Sequence, residues 1–302
     1  MVSVIELLAA SPGVYIGTCL LLGLAVGSFL NVVIYRLPIM LERQWREECA
    51  EVCGAAAVAT FPAALPQRFN LIVPRSSCPS CHAPITAWQN IPLLSWALLG
   101  GRCASCGKPI GLRYPLVEAL AGILSALVAW RFGFGWPALA ALTLTWFLIA
   151  LTFIDIDHQL LPDTLTLPLL WIGLALSLWG SGAAPVPAEL RSSLIGAIAG
   201  YLSLWSVYHL FRLITGKEGM GYGDFKLFAA LGAWLGWQML LPTILIATAV
   251  GAAVGITIIL IRRQDRATPI PFGPFLAAGG WLMLMFGQQV VAGYLGLFAA
   301  HP

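Results

Sequence analysis

Two aspartates stand where an apolar chain rarely tolerates them. Asp155 lies in the run Phe153, Ile154, Asp155, Ile156, Asp157, and Asp224 follows Gly219, Met220, Gly221, Tyr222, Gly223. Each marks one end of a long hydrophobic stretch. Taking a charge out of water is unfavourable unless something pairs with it, so an acid kept in such a place points to function. Two carboxyl groups that share a site do not both ionise easily, and one retains a proton. The ionised member can then act as a base toward water and the protonated one as an acid toward a carbonyl. That pairing suits peptide-bond hydrolysis. The expectation is that Asp155 and Asp224 meet at one membrane face and cut peptide bonds there. Asp155 falls at a helix C-terminus and Asp224 at a helix N-terminus, so the helix dipoles favour the charge on Asp224.

The neighbours of these acids have roles of their own. Gly221 and Gly223 let the backbone turn tightly and let other groups come close. Lys226 is either a counter-charge for Asp224 or a side chain reaching for the interface. Asp224 also suits a helix N-cap, and Asp163, after Pro162, suits one for the following helix. Asp157 reads as a solvated charge or as a neighbour of the site. Glu118 comes shortly after Pro115, which fits a first helical turn, and both structural and functional readings of it stand open.

A second kind of chemistry sits in the cysteines. Cys78, Pro79, Ser80, Cys81, His82, Ala83, Pro84, Ile85 returns as Cys103, Ala104, Ser105, Cys106, Gly107, Lys108, Pro109, Ile110. The form is C-x-S-C-x-x-P-I, twice. Two C-x-x-C pairs at this separation match a four-thiolate zinc site with Cys78, Cys81, Cys103 and Cys106 as ligands. Such an ion closes a small domain that lacks the core to fold alone. A c-type haem reading of Cys78 to His82 is weakened by Gly107 at the matching position of the second pair. A redox dithiol lacks its usual strand–helix setting. Cys49 and Cys53 lie one helical turn apart without further ligands, and Cys19 reads as packing.

The elements that must position these residues are membrane helices. Hydrophobic residues make up 59% of the 302 and charged ones 10%, which excludes an ordinary soluble globule. Eight apolar stretches read as spans, near 13–35, 115–131, 137–154, 164–180, 191–214, 225–237, 240–261 and 274–298. The sixth is short, suited to a tilted or re-entrant helix, and Pro242 separates it from the seventh. Leu41 to Ala50 reads as an amphipathic surface helix. Small residues four apart, such as Gly196 with Gly200 and Gly23 with Gly27, suit close helix packing. No basic leader precedes the first apolar run, so no cleaved signal peptide is expected.

With the N-terminus outside, fourteen of the 16 Lys and Arg fall inside, among them Arg262, Arg263 and Arg266, and only Arg131 and Arg191 fall outside. That map brings Asp155 and Asp224 to the same, cytoplasmic, face. The fold expected is an all-α polytopic membrane protein of about eight transmembrane helices with a small cytoplasmic zinc-ribbon-like loop domain. Its domains are a first transmembrane helix at 1–35, a zinc-binding domain at 36–113 and a transmembrane aspartyl protease domain at 114–302. The net charge of +3 is spread over loops and suggests no nucleic acid partner.

Gly221, Tyr222, Gly223, Asp224 resembles the G-x-G-D signature of the type IV prepilin peptidases, membrane aspartyl proteases of pilus assembly. Phe153 to Asp163 is similar to their other catalytic segment. Gly27 to Pro38 and Pro269 to Pro274 match as well, and the cysteine pairs are like the family's zinc loop. The resemblance spans nearly the whole chain and is closest to the long, bifunctional form. It implies an enzyme of the bacterial inner membrane, with Asp155 and Asp224 as catalytic acids at the cytoplasmic face. The implied reaction removes the basic leader from prepilins and type II secretion pseudopilins. Methylation of the new N-terminal residue, usually Phe, then follows with S-adenosylmethionine. The residues that bind this donor are not assigned by the sequence. The competing expectation is an ion- or proton-coupled transporter, but the acids lie at one face and not near the midplane.

Overall fold

The computed structural model describes residues 3–54, 68–86, 88–180, 186–262 and 270–299. Arg263, Arg266 and Pro269 lie outside the described residues, as does the side chain of Cys53. Among the described residues there are helices, turns and two isolated β-bridges, and no strand. Apolar helices stand at all eight expected positions. They are α2 (Pro12–Cys53), α4 (Arg113–Phe132), α5 (Trp136–His158), α6 (Asp163–Ser177), α7 (Leu190–Thr215), α8 (Tyr222–Leu235), α9 (Leu240–Arg262) and α10 (Gly273–Ala299). Two shorter helices, α1 (Val4–Ala10) and α3 (Leu94–Leu98), complete the set. Among the described residues, six helices are long and apolar enough to cross a membrane. Helices α6 and α8 have 15 and 14 residues, about 21–23 Å at 1.5 Å per residue, less than the ~30 Å of hydrocarbon.

The chain forms two compact units, Ile16–Ala126 and Met1–Tyr15 with Leu127–Pro302. In the first, α2 packs on α4 through small residues. A Cβ on Gly27 would come 2.7 Å from Glu118 Cα, and Gly23 sits equally close to Ser125 and Ala121. Asn31 Nδ2 donates to the Tyr114 carbonyl at 3.1 Å, which ties the same two helices. The surface helix expected at Leu41–Ala50 is not a separate element. Helix α2 runs unbroken for 42 residues, about 63 Å, and passes through Pro38. Its far end is held by i,i+4 pairs of the kind that stabilise solvated helices: Arg43 with Glu47, Arg46 with Glu42, and Gln44 with Glu48.

The second unit is built around α8. From Leu227 to Leu235 every residue of this helix is buried. It packs on α6, α7, α9 and α10, so it is a core helix enclosed by its neighbours. Gly196 of α7 and Gly232 of α8 face each other backbone to backbone, with no room for a side chain on either. Trp234, with 0% exposure, donates from Nε1 to the Leu169 carbonyl at 2.7 Å and lies over Gly173 of α6. Gly236, at φ 84°, ends α8, a conformation that suits glycine. Pro242 therefore does not break the chain. A 3-10 turn at Trp237–Met239 follows Gly236, and Pro242 lies in the first turn of α9.

Candidate active site and metal centre

Asp155 lies in the last turn of α5, whose end is set by Gln159 in the left-handed conformation at φ 51°. The Gln159 N–H closes onto the Asp155 carbonyl at 2.9 Å. Asp224 lies in the first turn of α8, three residues after Gly221. The N-cap is Gly221 itself, so Asp224 is not the cap, and neither is Asp163, whose helix begins after Pro162. Both catalytic candidates are nearly sealed, at 5% exposure for Asp155 and 7% for Asp224.

Leu161 is the hinge on which the two sides converge. A Cβ on Gly223, next to Asp224, would come 2.7 Å from Leu161 Cβ. A Cβ on Gly273 would come 3.2 Å from Leu161 Cδ1 and 2.6 Å from Asp155 Oδ2. Gly223 is thus a glycine because of close approach. Gly221 has φ −81°, and a Cβ there would meet only Asp224 Oδ2 at 3.9 Å, so neither conformation nor space demands glycine at that position.

Helix α10 packs on both α5 and α8, and its first residue completes the site. The Gly273 N–H donates to Asp155 Oδ2 at 2.9 Å. The bond ties the start of α10 to the end of α5 and fixes the Asp155 carboxyl in place. Asp224 Oδ1 is buried with no hydrogen-bond partner among the described residues. Asp155 lies within electrostatic reach of Asp224. Among the described ion pairs, none involves either acid. Two buried carboxyls with no ion pair to either among the described residues suit a pair that shares one proton. The orphaned Asp224 Oδ1 is open to a water or, when it carries the proton, to a substrate carbonyl.

The sequence places Gly273 in a motif and gives it no role. Its signal was a glycine between Phe272 and Pro274 at the head of an apolar run. We expect Gly273→Ala to push on the Asp155 carboxyl and slow cleavage roughly 10–100-fold, as a displacement near 1 Å does in a preorganised site. Cleavage kinetics on purified protein check this. An unchanged rate would remove Gly273 from the site.

Lys226 does not neutralise Asp224. Its Nζ contacts both oxygens of Asp163 at 2.6 and 2.7 Å, which joins the start of α8 to the start of α6. The pair is partly exposed, at 26% and 55%, so its share of stability is about 0.2–1 kcal/mol. Lys226→Met is expected to lower cleavage less than about tenfold, and adding Asp163→Asn to bring little further loss, because both remove one interaction. A double-mutant cycle with additive losses would contradict this.

The cysteine repeat is a structural repeat. The Cys78 N–H donates to the Ala83 carbonyl and the Cys103 N–H to that of Lys108. The His82 N–H returns to the Cys78 carbonyl and the Gly107 N–H to that of Cys103. Bridges Ser77–Pro84 and Arg102–Pro109 close the two knuckles. His82 and Gly107 hold the same left-handed turn, φ 57° and 71°. The histidine thus occupies a turn position, which accounts for its exchange with glycine.

The four sulfurs lie within 4.8 Å of one another. Cys78 Sγ is 3.9 Å from Cys106 Sγ, and Cys81 Sγ is 4.0 Å from Cys103 Sγ. A tetrahedral zinc with bonds of ~2.3 Å needs sulfur–sulfur edges of about 3.8 Å, whereas a disulfide needs ~2.05 Å. Backbone N–H groups of Cys81 and Ser80 lower the Cys78 thiol to about 6. Cys103 is lowered in the same way by Cys106 and Ser105. At Cys81 the Ala83 amide lowers the value, but burial and the neighbouring thiols outweigh it and push the thiol up to about 11. Four thiolates cannot coexist here without a cation, and the cluster fits a metal ion.

Glu118 belongs to the unit at 16–126, where its Oε2 accepts the Leu93 N–H at 2.9 Å and Ser28 also bonds to its carboxyl.

Residues 142–256 match the type IV leader peptidase family, and residues 21–132 match the bacterial peptidase A24 N-terminal domain. A prepilin leader peptidase/N-methyltransferase of Stutzerimonas stutzeri is 53% identical over 291 residues, 96% of this chain and 97% of that protein. Proteins of the same description from Pseudomonas aeruginosa and Aeromonas salmonicida are 52% and 54% identical. They align over 96% and 98% of this chain and 97% and 99% of their own lengths. No solved structure matches the chain.

Proposed function

The chain belongs to the type IV leader peptidase family, and from that membership we propose how its residues divide two reactions. The protein is a multi-pass membrane enzyme that cleaves the leader peptide from prepilins and N-methylates the N-terminus so exposed. Asp155 and Asp224 are the cleaving pair. The observation that carries this reading is the sealed pair of acids around Leu161, with Asp224 Oδ1 left without a partner. A water between them gives a proton to the ionised carboxylate and attacks the scissile carbonyl. The protonated carboxyl gives its proton to the carbonyl oxygen. Collapse of the tetrahedral intermediate breaks the C–N bond, and the amine leaves with a proton returned from the pair. Gly221, Gly223 and the Lys226–Asp163 bridge support the start of α8, and the Gly273 amide holds Asp155.

Zinc is the metal we assign to Cys78, Cys81, Cys103 and Cys106. When bound it supplies a fourfold tie between the knuckles and no chemistry on substrate, because all four positions are filled by protein. S-adenosylmethionine is the methyl donor. The substrates extend to pseudopilins, and the enzyme sits in the bacterial inner membrane with its acids at the cytoplasmic face, as the basic loops favour. We propose a division by role into 1–35, 36–113 and 114–302, which differs from the compact units by placing 16–35 and 114–126 outside the zinc-binding part. Transport finds no support, since the relatives are peptidases and methyltransferases by name. The test is incubation of purified protein with a prepilin, with and without methyl donor. Cleavage in both and methylation only with donor is expected. An intact prepilin in both would refute the reading.

A further inference from the structure

Leu93 holds a backbone conformation that its side chain disfavours. At φ 58° and ψ −45° it is the centre of a γ-turn, closed by the Leu94 N–H on the Pro92 carbonyl at 2.5 Å. This hand of γ-turn is the rare, strained one, and Leu has no polar side chain to support it. Strain of this kind persists only where surroundings over-determine it, and it gathers at working sites. Here the Leu93 N–H is taken by the Glu118 carboxylate of α4, which is itself held by Ser28 of α2.

The turn opens α3, and α3 carries the second knuckle. The Ala97 N–H bonds to the Leu93 carbonyl, and the Gly101 N–H bonds to the Trp96 carbonyl at 2.8 Å. The Trp96 ring covers Gly101, and its Nε1 donates to the Ile110 carbonyl at 3.4 Å. One carboxylate in a membrane helix thus anchors the head of a segment that is held together by its own bonds from Ile91 to Ile110. Every residue named lies in the unit at 16–126, whereas both aspartates lie in the other. The peptidase match at 142–256 contains both aspartates and none of these residues.

We propose that Glu118, acting through the Leu93 turn, is a positioning residue for methyl transfer and takes no part in peptide cleavage. This rests on the two-reaction reading above. In the transfer, the neutral N-terminal amine attacks the methyl carbon of the sulfonium donor. The carbon–sulfur bond breaks, its electron pair stays on sulfur as a thioether, and the methylated ammonium loses its extra proton to solvent. An amine and a donor must be brought into line for this, which is a task of placement.

The experiment uses the full chain in lipid, a prepilin and S-adenosylmethionine, and reads both cleavage and the product's N-terminal mass. Glu118→Ala is expected to lower methylation at least about tenfold while cleavage stays within about twofold. Glu118→Gln retains an oxygen acceptor for the Leu93 N–H and should keep most methylation. Leu93→Gly relieves the strain, since glycine takes positive φ freely, and should restore methylation when added to Glu118→Ala. Parallel loss of cleavage and methylation, full methylation in Glu118→Ala, or equal losses in the Ala and Gln variants would overturn the proposal. Wild-type protein that cleaves nothing would instead overturn the two-reaction reading.

Discussion

Asp224→Asn is expected to leave prepilin uncut in a protein that still folds. The substitution keeps shape and removes the group that holds or moves a proton. General acid–base catalysis supplies about 10²–10⁴ in rate, and a loss of at least about a thousandfold is expected. Asp155→Asn should lose as much, although it keeps an oxygen for the Gly273 N–H. The double variant should add little, because residues acting as one unit are not additive. Methylation of intact prepilin should vanish with cleavage, for want of a new N-terminus. Substrate supplied already cut should still be methylated. Cleavage by either single variant at near wild-type rate would contradict the assignment.

Removal of the metal should collapse the knuckles and spare the acids. The unit at 16–126 holds the four thiols on two short turns with two isolated bridges. Little core lies beneath them: Cys78 is buried, while Cys81 and Cys106 are exposed. A structural zinc in such a setting contributes on the order of 10–16 kcal/mol of apparent binding energy, which is folding energy for the loop. Cys78→Ser with Cys103→Ser is expected to abolish zinc binding, from about one ion per chain. The loop should then become open to limited proteolysis, and methylation should fall with it through the segment that carries the second knuckle. Zinc retained in full by the double variant would show that these cysteines are not its ligands.

The candidate sites were legible because they are written in residue type. An acid in an apolar run and a doubled C-x-x-C are costly patterns unless used, and both lie in compact motifs. The apolar helices were legible from length and hydropathy, including α6 and α8, but those two are shorter than the six long enough to cross. What escaped the sequence was anything decided by a distant contact. Gly273 lies 118 residues from Asp155, and only packing of α10 on α5 brings its amide there. The partner of Lys226 is 63 residues away at Asp163, whereas the sequence offered only Asp224 or the interface. The surface helix read at Leu41–Ala50 is continuous with α2 because Pro38 is accommodated within a helix braced by charge pairs beyond it. The strained turn at Leu93 has no glycine or asparagine to announce it, since a carboxylate from another helix imposes it.

Everything rests on two side chains from α5 and α8 flanking one water. Asp155→Cys with Asp224→Cys, in the full chain in lipid, can be treated with a bifunctional thiol reagent spanning a single carbon. Mass spectrometry of the digest then reads whether peptides bearing positions 155 and 224 are joined. Joined peptides are predicted. Two separately capped thiols, with no linked pair, would contradict the account.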